Sequence, residues 1–207
     1  MKGECIVQID SANHRIERHL DARGRLWRER SYRWGGGGHS LESTRQFVFD
    51  TLARGALTSD AISGSTGNQS RSYSYDGLAR LIQRDTHVDG YTYREQTQYD
   101  ARGRAWKNRD ATGLWLKQSY DARGFATRLC DSTEADTASA CGASFYTTVE
   151  EVDARGAVLK ERRGSTGGPT IGRSYNALNG QLVGVCTGAG CSVQNALYGY
   201  DNKGQLT

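Results

Sequence analysis

The chain has 207 residues, with 27 Lys and Arg against 23 Asp and Glu, a net charge of +4, 26 Gly and a single Pro. The basic residues are interleaved with acids instead of being gathered into a stripe, which argues against a nucleic-acid-binding surface. No run is apolar enough to span a membrane, and Cys5-Ile6-Val7 is too short for the core of a secretory signal, so an export signal would lie upstream or export would use machinery that reads no such signal.

In chain order, residues 1–19 set Ile6, Ile9 and Ile16 among polar residues and read as a partial repeat or edge strand. A hairpin follows from Leu20 to Arg33, then a glycine-rich loop from Trp34 to His39. Gln46 to Asp50 is a strand entering a degenerate turn, Asp50-Thr51-Leu52-Ala53-Arg54, whose glycine, Gly55, comes one place late. Ser63 to Gln69 has the composition of a linker, with Thr66 at its centre. Arg71 to Asp76 returns to a strand. Tyr91 to Asp100 alternates cleanly, with Tyr91, Tyr93, Glu95, Thr97 and Tyr99 on one face. Lys107 to Thr112 is a loop, and Gly113 opens a strand from Leu114 to Tyr120. Residues 131–144 form the longest insertion and read as an acidic, solvated loop. Phe145 to Val152 and Ala157 to Arg162 are strands, and Gly164 to Pro169 is a loop. The chain stops at Thr207, where a strand should start, so the native protein is expected to continue.

One phrase organises this succession. Asp-Ala-Arg-Gly stands at 21–24, 100–103, 121–124 and 153–156, with looser copies starting at Asp50, Asp76, Asn176 and Asp201. Asp opens a turn by accepting hydrogen bonds from N–H groups further along, and a glycine at the fourth position tolerates positive φ. Asp21 with Gly24, Asp100 with Gly103, Asp121 with Gly124, Asp153 with Gly156, Asn176 with Gly180 and Asp201 with Gly204 therefore read as hairpin turns. Counting outward from the turn pairs Leu20 with Leu26, Tyr75 with Leu81, Tyr99 with Ala105, Tyr120 with Ala126, Val152 with Val158 and Tyr200 with Leu206. Each pair is apolar, as opposed residues on one sheet face should be. Successive turns are 21 to 32 residues apart. The tight turn is constant while the other connection varies, so the prediction is an all-β array of about eight antiparallel hairpins over residues 1–207. Tight turns would line one edge and variable loops the other.

Chemistry-bearing motifs are sparse. Cys130 and Cys141 bracket the long insertion, and Cys186 and Cys191 bracket Thr187-Gly188-Ala189-Gly190. Both pairs sit at the ends of neighbouring strands; they form loop-pinching disulfides in an exported protein and stay thiols in a reducing compartment. Cys5 has no partner in this reading. No Cys-x-x-Cys and no nearby histidine completes a zinc site, and Asp131, Glu134 and Asp136 lack the order of a calcium loop. His14, His19, His39 and His87 are scattered. No nucleophile elbow, phosphate loop or His-Glu-x-x-His helix occurs, so no catalytic, cofactor or metal residue is assigned and the reading is non-enzymatic.

The segments Tyr75 to Leu81, Tyr99 to Arg104 and Tyr200 to Leu206 resemble the Tyr-Asp-x-x-Gly-Arg-Leu signature of YD repeats, also called RHS repeats. The match covers about Leu20 to Thr207; Phe49 to Gly55, Val152 in place of Tyr, and the extra residue in Asn176 to Gly180 depart from it. The resemblance implies a sheet strip that spirals into a hollow shell, as in bacterial RHS polymorphic toxins, the cocoon components of Tc toxins, wall-associated bacterial proteins and teneurins. It implies a secreted or cell-surface bacterial protein whose partners are the rest of its shell and an enclosed C-terminal effector. An alternative is a carbohydrate-binding module, with Tyr91, Tyr93, Trp106 and Trp115 stacking on a cell-surface glycan. Eight hairpins are too few to close a shell, so open sheet edges would favour self-association.

Overall fold

The structure, a computed structural model, describes residues 3–52, 55–65 and 67–207; Ala53 and Arg54 of the second turn and Thr66 of the linker-like loop lie outside the described residues. Among these residues the chain is all-β, with sixteen strands in one sheet in strict sequence order. They are β1 (Cys5–Ile9), β2 (Arg15–Leu20), β3 (Leu26–Trp34), β4 (His39–Phe49), β5 (Leu57–Gly64), β6 (Gln69–Tyr75), β7 (Leu81–Val88) and β8 (Tyr91–Tyr99). Then follow β9 (Ala105–Arg109), β10 (Trp115–Tyr120), β11 (Ala126–Ser132), β12 (Thr147–Val152), β13 (Val158–Arg163), β14 (Thr170–Tyr175), β15 (Leu182–Thr187) and β16 (Gln194–Leu197). Ala189–Cys191 makes one 3-10 turn.

The repeat turns occupy equivalent places. Asp21, Asp50, Asp76, Asp100, Asp121, Asp153 and Asn176 each lead from an even-numbered strand to the next odd one, and Asp201 follows β16. The odd-to-even connections vary from the two residues Asp89-Gly90 to the insertion between Ser132 and Thr147. Two of these connections are aspartate turns as well. Asn13 donates to the Asp10 carbonyl at 3.0 Å between β1 and β2, and Gly113 to the Asp110 carbonyl at 3.1 Å between β9 and β10. Residues 5–20 thus form a complete antiparallel hairpin, β1 with β2.

Leu20 faces Leu26, Tyr75 faces Leu81, Tyr120 faces Ala126 and Val152 faces Val158. Phe49 faces Leu57, Tyr175 faces Leu182, and Tyr200 bridges to Leu206. Just beyond six of these pairs the register slips in the same way. Trp27, Thr58, Ile82, Thr127, Leu159 and Val183, each the second residue of its strand, have no opposite number. A bulge here turns the apolar pair relative to the rest of the hairpin, because an extra residue breaks the period of two.

By backbone contacts the chain divides into two compact units, Met1–Thr97 with Arg109–Gly113, and Gln98–Asn108 with Leu114–Thr207. Their interiors differ. Among the described residues the buried apolar side chains are Trp115, Cys130 and Cys141, all in the second unit. The first unit buries Asp60 and Asp85 instead. Its strands are held by backbone ladders and cross-strand polar pairs more than by an oily core.

Candidate functional site

The repeat turn is built around its aspartate. Oδ1 of Asp100 accepts the N–H groups of Arg102 and Arg104 at 2.9 Å each, and Oδ2 accepts Arg104 Nε at 2.8 Å. Asp21 with Arg23 and Arg25, and Asp76 with Leu78 and Arg80, repeat this geometry. The Arg104 N–H, opposed by burial and helped by the Arg104 side chain, holds the Asp100 carboxyl below the usual carboxylate range. Gly24, Gly103, Gly124, Gly156 and Gly204 each donate to the carbonyl of the aspartate three residues earlier, and Gly180 reaches back four to Asn176. At the glycine place of the Asp76 turn stands Ala79, at φ 62°. Gly156, at φ 86°, has Phe125 packed where a Cβ would lie, 2.2 Å from Cε1.

Consecutive turns are stitched together. The hydroxyl of Tyr75 donates to the Leu57 carbonyl at 2.8 Å, Tyr120 to Ala105 at 2.6 Å, Tyr175 to Val158 at 3.4 Å and Tyr200 to Leu182 at 2.8 Å. Each acceptor is the first residue of the strand that leaves the preceding repeat turn. That contact gives the repeated tyrosine a polar role beside its apolar pairing. The turn arginines reach forward as well: Arg25 lies over Phe49 at 4.4 Å and Arg104 over Tyr120 at 4.1 Å. Their Nη1 atoms are buried without a hydrogen-bond partner, and the ring faces take that place. Arg23 and Arg102 donate to the backbone carbonyls of Leu52 and Ala122 in the next turn.

Mid-strand acids anchor the sheet faces. Asp60 is 4% exposed and accepts Tyr73 Oη at 2.7 Å, Arg71 at 2.9 Å and Arg45 at 3.3 Å. Burial pushes its carboxyl up, but Tyr73, Arg71 and Arg45 outweigh it and hold it low. Asp85 takes both nitrogens of an Arg94 fork at 2.8 and 3.1 Å. Because Asp60 pairs with Arg71 and Arg71 with Thr86, Asp85 lies on the opposite face from Asp60. Both faces of the first unit therefore carry buried charge. In the second unit Glu161 accepts Arg163 and Arg173 at 2.8 and 2.9 Å.

The insertion after β11 is largely exposed, as an acidic, solvated loop should be, but it is not free of the sheet: it is tied down over β9, β10 and β11 as a clasp. Lys107, fully buried, donates to the carbonyls of Thr133 and Glu134 at 2.8 Å and of Asp136 at 2.9 Å. Its ammonium also faces the rings of Trp115 and Trp106 at 5.0 and 5.4 Å. Lys117 bonds Asp136 Oδ2 at 2.6 Å and the Ala138 carbonyl at 3.0 Å. That contact, with the Ala138 N–H, holds the Asp136 carboxyl down at about 2. The Cys130–Cys141 disulfide closes the base, and Ser119 Oγ accepts the Cys141 N–H at 2.9 Å. The sequence carries a partial signal in β10, where alternate residues Trp115, Lys117 and Ser119 share one face; Lys107 on β9 carries none.

A second disulfide, Cys186–Cys191, pinches the connection after β15, and Cys5 is an exposed thiol. Among the described residues no three His, Cys, Asp or Glu side chains stand together as metal ligands. His14 caps the Asp10 turn, His39 contacts the Asn13 carbonyl and His87 contacts Thr92. Of the aromatic set read as stacking faces, Tyr91 and Tyr93 are exposed, whereas Trp115 lies under the clasp and is withdrawn from any ligand.

No family model matches the chain, and no curated protein matches it. Solved structures do. The crystal structures titled TcdB2-TccC3-TEV and TcdB2-TccC3-Cdc42 superpose with TM-scores of 0.71 and 0.72 at 15% identity, over 97% of this chain. This chain spans about a tenth of the length of each, 10% in both cases. The likeness is one of fold: an all-β sheet of successive antiparallel strands. No helix among the described residues is long and apolar enough to cross a membrane.

Proposed function

We propose that the chain is a single array of about eight YD/RHS repeats serving as a non-enzymatic segment of a shell. In this reading it belongs to a secreted or cell-surface bacterial protein, and the shell encloses a C-terminal toxin or effector domain. The carrying observation is the strict sequence order of the strands, with one aspartate or asparagine turn at each even-to-odd connection and tyrosines and arginines reaching from one turn to the next. Such a sheet grows by adding hairpins, and its stability rests on neighbour contacts, as in other repeat architectures. The fold shared with the TcdB2-TccC3 crystal structures supports the reading. Its partners are the remaining repeats of the shell and the enclosed domain; no cofactor enters it. The alternative, a glycan-binding module, retains Tyr91 and Tyr93 but loses Trp115.

The test uses the full-length protein encoded at the native locus. Electron microscopy should show a closed hollow body, and the region after the repeats should resist a protease that digests it when expressed alone. A C-terminal region cleaved equally fast in both forms, or a reading frame with no domain beyond the repeats, would overturn the proposal.

A further inference from the structure

Six side chains form a two-by-three array on one face of the first unit. Arg15 pairs with Tyr32, Glu17 with Arg30 and His19 with Arg28, and alternate residues of a strand share a face. Glu17 is the centre of this array. It is contacted by Arg15, receives the Tyr32 hydroxyl at 2.9 Å, and lies 3.7 Å from His19. Burial pushes its carboxyl up, but Tyr32, Arg15, His19 and Arg30 together hold it low.

The cations around it are under-supplied. Arg28 makes one long contact, to His19 at 3.5 Å, and lies over Trp27. Arg30 is within the field of Glu17, and its side chain makes no hydrogen bond among the described residues. The Nε atoms of Arg15, Arg28 and Arg30 are all buried without a partner. Many strand arginines elsewhere meet a carboxylate, as Arg18 does Glu29, Arg71 Asp60, Arg94 Asp85 and Arg173 Glu161, whereas Arg109 meets a carbonyl and Arg128 the ring of Phe145. Here the flanking positions of the same face are Cys5, Val7 and Ile9 of β1 and Leu41, Thr44 and Gln46 of β4, none of them a carboxylate. Three guanidinium groups and a histidine thus stand around one carboxylate, which Arg15 contacts directly, so the face carries an excess of positive charge.

We infer that this face is a binding site for an acidic polypeptide segment. Under the shell reading, on which this rests, the segment belongs to the enclosed domain. Same-face residues along a strand repeat at about 6.8 Å, the spacing of alternate carboxylates in an extended peptide. Arg28 and Arg30 stand at that interval on β3, and a guanidinium fork matches a carboxylate in two parallel bonds. A nucleic acid is the poorer fit. The net charge of the array would displace only about two counterions, too few to hold a duplex at physiological salt. A tethered peptide needs little intrinsic affinity, since confinement raises its effective concentration.

The test is fluorescence anisotropy of the purified protein with a labelled ten-residue Glu-Ala-alternating peptide. A Lys-Ala peptide and a double-stranded oligonucleotide serve as competitors. Arg28→Gln and Arg30→Gln should each weaken peptide binding about tenfold. Arg84→Gln, which removes the partner of Glu95 elsewhere, should leave it unchanged. Glu17→Gln removes the built-in competitor and should tighten binding severalfold, a gain that misfolding cannot imitate. No peptide binding, tighter binding to the oligonucleotide, or a Glu17→Gln variant that fails to bind more tightly would overturn the inference. Those results would leave the shell reading standing, because it is decided separately by microscopy and protease protection of the full-length protein.

Discussion

Replacing Lys107 by Met tests whether the insertion is a clasp held by a buried cation. Methionine keeps most of the volume, so no large cavity opens and the change isolates the ammonium. Three carbonyls, of Thr133, Glu134 and Asp136, lose their donor. Hydrogen bonds to a charged group contribute about 1.5–3 kcal/mol each, so the gross loss is about 6 kcal/mol. Two effects reduce it: the ammonium no longer has to be desolvated, and the loop can turn its carbonyls to water. A net loss of about 3 kcal/mol of clasp stability remains, roughly a hundredfold rise in the open population. The assay is native-state cleavage after Glu134 by a glutamate-specific protease, slow enough that reclosing outpaces cutting, with products separated after reduction of Cys130–Cys141. The Trp115 emission should shift to longer wavelength as its burial is lost. A cleavage rate within threefold of wild type, with unchanged emission, would refute the clasp.

Other outcomes follow from named contacts. Asp60→Asn leaves Arg45 and Arg71 facing a neutral amide; their partial exposure reduces the usual cost of a broken buried pair to about 2–3 kcal/mol, measurable by urea unfolding. Ala79→Gly relieves the positive φ at the Asp76 turn and should raise the melting temperature by about 3 °C, whereas Gly156→Ala should lower it because its Cβ would overlap Phe125. Acid should loosen the clasp in a defined window. The Asp136 carboxyl is depressed from 3.8 to about 2, so its contribution is complete above pH 4 and is lost as pH falls toward 2. Lys117→Met should move that Trp115 fluorescence transition to higher pH; an unmoved midpoint would count against the Lys117–Asp136 bond.

The legibility of this chain divides by range of interaction. The Asp100 turn could be read because its hydrogen bonds span four residues and leave a fixed spacing of Asp and Gly. The Asp10 and Asp110 turns carry the same local signal, Asp-x-x-Asn and Asp-x-x-Gly, but fall between the repeat turns, at the connections of variable length. The tyrosines before Asp76, Asp121, Asn176 and Asp201 were legible as apolar partners across the hairpin. Their hydroxyl bonds to carbonyls 15 to 18 residues earlier were not, because that distance depends on how adjacent hairpins register.

The clasp and the arginine array lie furthest from the sequence. Nothing near Lys107 announces that its partners are carbonyls 26 to 29 residues on. Likewise Arg28 and Arg30 look like any other strand arginines until the pairing of β2 with β3 shows one carboxylate for three guanidinium groups. Sequence alone determined the all-β class, the hairpin unit and the placement of its turns, because local hydrogen bonding and the period of two act over a few residues. Tertiary structure decided which charged groups are buried, which find partners and which loop is folded down. Those outcomes depend on strand register and on desolvation by distant segments, and both are set only when the sheet assembles.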